Sequence, residues 1–225
     1  MKKFLSGVAV AVLLTVPCLG ADDFKLETVK QKPAGIAPAI EKLLSESAYK
    51  VTGPNGVVCE IWLVKELPVK SPFEATLNVK YPFTPGELMG VIKLPTEGGA
   101  TDFKGQELPA GTFTLRYGQQ PQDGNHLGTS DVSDFVLACS PETDKSPAAV
   151  SKIADLFKLS AAAAGTTHPA IFLLSPPPEK AFEKTGLMHN SEKEFWILET
   201  NVPGKAGGKD VSQPVRIVVS GRGAG

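Results

Sequence analysis

The chain has 225 residues, 23 Lys and Arg against 24 Asp and Glu, a net charge of -1, and 22 Gly with 19 Pro. That Gly and Pro share is about half again the ~12% usual in globular proteins, which excludes a coiled coil and fits a helix-rich fold poorly. Only Arg116, Arg216 and Arg222 are arginine, and a near-neutral, Arg-poor chain argues against nucleic acid as a partner.

In chain order, the first twenty residues read as an export signal. Lys2 and Lys3 form a positive start, Val8 to Val16 is an apolar run too short to span a bilayer, and Pro17 is followed by small residues at Cys18 and Gly20. Cleavage is expected between Gly20 and Ala21, sending the mature chain to the periplasm or the extracellular space. A lipid anchor at Cys18 is not expected, because Thr15 and Pro17 stand where that signal wants Leu and a small residue. Cleavage leaves 205 residues and takes the net charge from -1 to -3, since Lys2 and Lys3 leave with the signal. That length suits one domain and includes no transmembrane segment.

Residues 21–35 read as an extended lead-in, residues 36–220 as one domain and residues 221–225 as a flexible tail. Ile36, Ile40, Leu43 and Leu44 share a helical face and predict a short helix over 36–47. Strand patterns follow at Tyr49–Thr52 and Val57–Lys65, separated by the turn Gly53-Pro54-Asn55-Gly56. Phe73–Tyr81 alternates most cleanly of all, with Ala75, Leu77, Val79 and Tyr81 on one face. Further strands are read at Gly86–Leu94, Ala100–Lys104, Thr112–Tyr117 and Phe135–Cys139. Ser146 as N-cap, Pro147 at the first turn and a stripe of Val150, Ile153, Ala154 and Phe157 predict a second helix, stopped by Gly165. Ala170–Leu174, Glu194–Thr200 and Val215–Val219 complete the strands, with a loose loop over 203–209.

Many short strands with Gly and Pro punctuation and only one or two short helices predict an all-β protein, a single antiparallel β-sandwich of Ig-like or jelly-roll-like type. The stretch Leu108-Pro109-Ala110-Gly111-Thr112-Phe113-Thr114-Leu115 resembles a turn-into-strand pattern of exported bacterial β-sandwich proteins of unassigned function. The resemblance implies the fold and brings no catalytic residue.

Local catalytic signatures are missing from the sequence, including Cys-x-x-Cys, the phosphate loop, the Gly-x-Ser-x-Gly elbow and His-Glu-x-x-His. The densest polar stretch, Gly118 to Asp134, is the best site candidate, because loops this long in compact domains are usually functional. Gln119, Asp123, Asn125, His126 and Asp131 from it, with His168, form the expected ligand site. Asp123-Gly124-Asn125 resembles the start of a calcium loop, but the next ligand position falls on Leu127 and no Glu closes the series. No cofactor is expected. The alternative is a divalent metal held by the three histidines, His126, His168 and His189, if their loops gather at one end of a sandwich. Cys59 and Cys139, the two cysteines left after cleavage, are the disulfide candidate, each on a predicted strand of an opposing sheet. Trp62, Tyr117 and Trp196 read as core aromatics, with an exposed sugar-stacking platform as the alternative.

These features favour a non-enzymatic binding or accessory module of the cell envelope, with a small molecule, glycan or envelope protein as partner. The alternatives are a metal-binding protein or metal-dependent hydrolase, and a structural or assembly subunit joined through a sheet edge.

Overall fold

The computed structural model describes residues 24–95, 100–121 and 130–223. The expected export signal therefore lies outside the described residues, as do Asp123, Asn125 and His126. In chain order the elements are β1 (Lys25–Lys30), α1 (Pro38–Glu41), β2 (Ser47–Gly53), β3 (Gly56–Leu63), β4 (Leu67–Val69), β5 (Leu88–Leu94), β6 (Ala100–Thr101) and β7 (Glu107–Leu108). They continue with β8 (Gly111–Gln119), β9 (Asp134–Cys139), α2 (Ile153–Ala164), β10 (Ala170–Leu173), β11 (Gly186–Asn190), β12 (Phe195–Ala206) and β13 (Lys209–Ser220). Among these residues no helix is long and apolar enough to cross a membrane.

The protein is mostly β, as the sequence patterns predict, and its described strands form three sheets. A seven-stranded antiparallel sheet runs β1-β2-β3-β5-β8-β9-β10. Its strand order follows the chain, an up-and-down meander, whereas Ig-like and jelly-roll folds are Greek keys. A four-stranded sheet runs β11-β12-β13, with β4 added in parallel to β12, and β6-β7 form a small ribbon. The residues read as a lead-in contain β1, which pairs with β2 from Lys25↔Thr52 to Lys30↔Ser47.

The predicted loose loop at 203–209 is instead the tip of a long hairpin. Pro203 to Ala206 pair with Lys209 to Ser212, and Gly207 and Gly208 turn the chain with φ of 56° and 81°. Two successive positive φ values make the tight turn whose twist matches the flanking strands, and glycine adopts them without steric cost.

Three other expectations fail for identifiable reasons. Phe73–Tyr81 is not a strand. It closes a turn, Thr76 N–H to Val79 O at 2.9 Å, and leaves Leu77 at the tip, 87% exposed. Alternation there found no partner strand to pair with. The first helix is a single turn, because Ser45 N–H bonds Leu63 O and draws the chain toward β3; Ile40 and Leu44 are still buried. The second helix starts at Ile153, not at Ser146, and buries Leu156, Ser160 and Ala163 rather than the expected stripe. Its predicted first turns are held elsewhere, since the carbonyls of Ser146 and Ala148 accept hydrogen bonds from Arg116. Gly165 does end the helix, in the left-handed conformation.

The main core joins the two larger sheets: Ile61, Ile92, Leu115, Tyr117 and Val136 pack in one cluster with Leu198, Val215 and Ile217. A second cluster sets Phe135, Leu137, Cys139 and Leu173 against Leu156 of α2. Successive residues of β9 thus serve different clusters, as the two-residue period of a strand requires. The expected tail is docked as far as it is described, with Gly223 N–H on Phe103 O at 2.9 Å.

Candidate functional site

A pocket of about 190 Å³ opens between α2 and the ends of β8, β9 and β10. Phe135 and Leu137 of β9, Ile171 of β10 and Phe157 of α2 form its apolar lining, and Gln119, Gln120, His168 and Lys104 supply the polar groups. Each part has a local cause. Gly118 makes room for the floor, since a Cβ there would stand 2.3 Å from Leu137 Cδ1. Ser160 fastens α2 to the start of β10, accepting from Ala170 N–H at 2.9 Å. His168 is placed by Thr166, whose hydroxyl accepts from the His168 N–H at 3.1 Å. Lys104 is placed by Asp102, whose buried carboxylate accepts from the backbone N–H groups of Lys104, Gln106 and Ile171.

Gln119 also leads from the pocket into the core. Its amide donates to the Tyr117 hydroxyl at 2.9 Å, and Tyr117 donates to Asp134 Oδ1 at 2.5 Å. The other oxygen of Asp134 accepts from Lys80 N–H at 2.6 Å. Asp134 is fully buried, and that burial holds its carboxyl above the ordinary value against the lowering effect of its hydrogen bonds. Burial, then the neighbouring Asp134, push the Tyr117 phenol up as well. Tyr81 extends the network: its hydroxyl donates to Ser175 O at 2.8 Å and accepts from Arg216 N–H at 3.0 Å.

Of the residues expected at one site, Gln119 and His168 line this pocket together. Asp131 does not line it; its carboxylate meets Lys193 at 2.7 Å on an exposed surface, and that contact holds it below the usual carboxylate range. His189 stands in other surroundings. Its ring stacks on Trp196 at 4.5 Å, Trp196 stacks on Phe24, and Glu194 lies 3.5 Å away. Among the described residues no group of His, Cys, Asp and Glu side chains converges as metal ligands.

The expected disulfide is corrected. Cys59 and Cys139 are free and buried. They belong to one sheet with β5 and β8 between them, at least about 14 Å apart at ~4.8 Å per strand, far beyond bridging range. The strand registers also put them on opposite faces, Cys59 with Ile61 and Cys139 with Thr114. Burial pushes both thiols up to about 12, so neither is a nucleophile at neutral pH. The aromatic platform is likewise absent as such: Trp62 and Tyr117 are buried, and Trp62 Nε1 donates to Gln31 O at 2.7 Å.

The pocket's apolar residues escaped the sequence reading because Phe135, Leu137 and Ile171 look like any buried strand residues. No family model, curated protein or solved structure matches this chain.

Proposed function

We propose that this chain is an exported, non-enzymatic binding module that holds a small ligand between Gln119 and His168. The reading is carried by one observation: polar residues from two distant stretches, 119–120 and 168, meet over an apolar floor in a pocket of about 190 Å³. A concave apolar site with a few convergent polar groups is the usual form of a small-molecule site. This volume favours a single ring or a short chain over a large cofactor. Lys104 and His168 favour a ligand whose polar end accepts hydrogen bonds or carries negative charge. The described lining residues offer hydrogen-bonding groups but no hydroxyl, thiol or carboxylate side chain, which favours retention over turnover. We read the seven- and four-stranded sheets as the two leaves of an open sandwich that holds this site rigid, a reading supported by their common core. Export is supported by the Lys2-Lys3 start and the apolar run that follows.

The test is a titration with 4-fluorobenzoate, followed by fluorine NMR. Saturable broadening is expected with the wild type, and His168→Ala or Phe157→Ala should weaken binding about two- to tenfold. Non-saturable broadening, or identical curves for all three proteins, overturns the assignment.

A further inference from the structure

A larger cleft of about 360 Å³ lies where the turn between β2 and β3 approaches the end of β13. It shares no lining residue with the Gln119–His168 pocket. Ile171 lines one and its neighbour Phe172 the other, because successive side chains of β10 point to opposite faces. The two cavities are therefore separate sites on either side of the same edge strand.

The cleft has an apolar wall and a cationic mouth. Phe24, Val58, Phe172 and Val219 contribute apolar surface, drawn from both larger sheets and from the residue preceding β1. Among the described lining residues Arg222 is the only lysine or arginine and Asp102 the only acid. No ion pair joins these two side chains. Asp102 spends both oxygens on backbone N–H groups, of Lys104 and Gln106 on Oδ1 and of Ile171 on Oδ2. Arg222 is exposed and, among the described residues, has no ion-pair or hydrogen-bond partner. Its guanidinium rests over Gly105, where a Cβ would stand 3.2 Å from Nε and Cζ; the glycine keeps that approach open. Among the described lining residues Arg222 therefore has free charged donors, whereas the acceptors of Asp102 are already occupied.

We propose that this cleft is a ligand site for an acyl chain bearing one carboxylate, with the chain among Phe24, Val58, Phe172 and Val219 and the carboxylate on Arg222. A planar guanidinium pairs with a carboxylate through two parallel N–H···O bonds, which fixes the head. Chain burial supplies the rest through the area removed from water.

The experiment is calorimetric titration of the full chain with sodium decanoate below its micelle concentration, and with decanol as the neutral analogue. Wild type should bind one decanoate saturably. Arg222→Gln should weaken decanoate about tenfold and leave decanol unchanged. Thr101→Trp, which fills the cleft from an exposed position, should abolish both. Both substitutions alter exposed side chains, so the fold persists. His168→Ala should bind decanoate as the wild type does, which separates this site from the other pocket. Absence of saturable decanoate binding, equal affinities in wild type and Arg222→Gln, or loss of decanoate in His168→Ala would each overturn the assignment.

Discussion

Arg116 and Tyr117 are neighbours on β8 and point to opposite faces of the seven-stranded sheet. Both are fully buried, and each gathers a carboxylate, yet the two clusters differ in kind. Around Arg116 everything closes on the protein. Nε and one terminal nitrogen grip Asp144 at 2.6 and 2.7 Å, and the remaining donors reach the carbonyls of Gly86, Ala148 and Ser146. All five N–H groups of the guanidinium are thus used. Thr114 adds its hydroxyl to Asp144. Around Tyr117 the chain of hydrogen bonds passes outward, from Asp134 through Tyr117 to Gln119 at the pocket. A buried charge whose every bond ends inside the protein fastens a loop, here residues 144–148. One whose network ends at a cavity also sets the position of a group that can meet a ligand.

The largest expected effect breaks the closed cluster. Arg116→Met leaves Asp144 buried without its partner and should cost about 3–5 kcal/mol in urea denaturation. Adding Asp144→Leu should restore much of that loss, because the second change removes the stranded charge. A loss under about 1 kcal/mol for Arg116→Met would put this pair in the class of surface ion pairs and dissolve the contrast.

A smaller effect sharpens the open cluster. Asp134→Asn keeps one acceptor and replaces the other with an amide that faces the Lys80 N–H or the Tyr117 hydroxyl, a cost of about 1 kcal/mol at acid pH. The folded state holds the Asp134 proton more firmly than the unfolded state does, since burial raises this carboxyl above 3.8. Wild-type stability therefore falls as pH rises upward from 3.8, and the variant lacks that fall. The gap between the two should shrink with rising pH. Asp102 is raised for the same reason and adds a slope common to both proteins. Parallel stability profiles would show that Asp134 is not the seat of the effect.

The smallest expected effect concerns the thiols, which the same two faces keep apart. Reductant should leave the melting temperature unchanged, and thiol titration of residues 21–225 unfolded without reductant should find both Cys59 and Cys139 reactive. A rise in thiol count on reduction would contradict the sheet order.

Much of the fold was legible because it depends on nearest neighbours in the chain. Gly53-Pro54-Asn55-Gly56 marks a hairpin by its turn chemistry, and Val57 to Val64 reads as a central strand because both faces are apolar. In the structure β3 lies between β2 and β5. The seven-stranded meander needs only such local pairings. The candidate site was legible in part: Gln119 and His168 stood out as polar residues near strand ends. Its floor did not, because Leu137 or Phe157 carries no mark that separates a pocket wall from a packed core.

The sequence alone determined the β-rich composition of the elements, most turns and the end of α2 at Gly165, since turn propensity and two-residue alternation act over a few residues. Tertiary structure alone decided that Phe73–Tyr81 has no strand to pair with, that Arg116 takes the carbonyls an earlier helix start would have used, and that Cys59 and Cys139 stand on opposite faces of one sheet. The last two outcomes depend on partners 30 to 80 residues away, and a strand pattern specifies which face a side chain takes without specifying what will cover it.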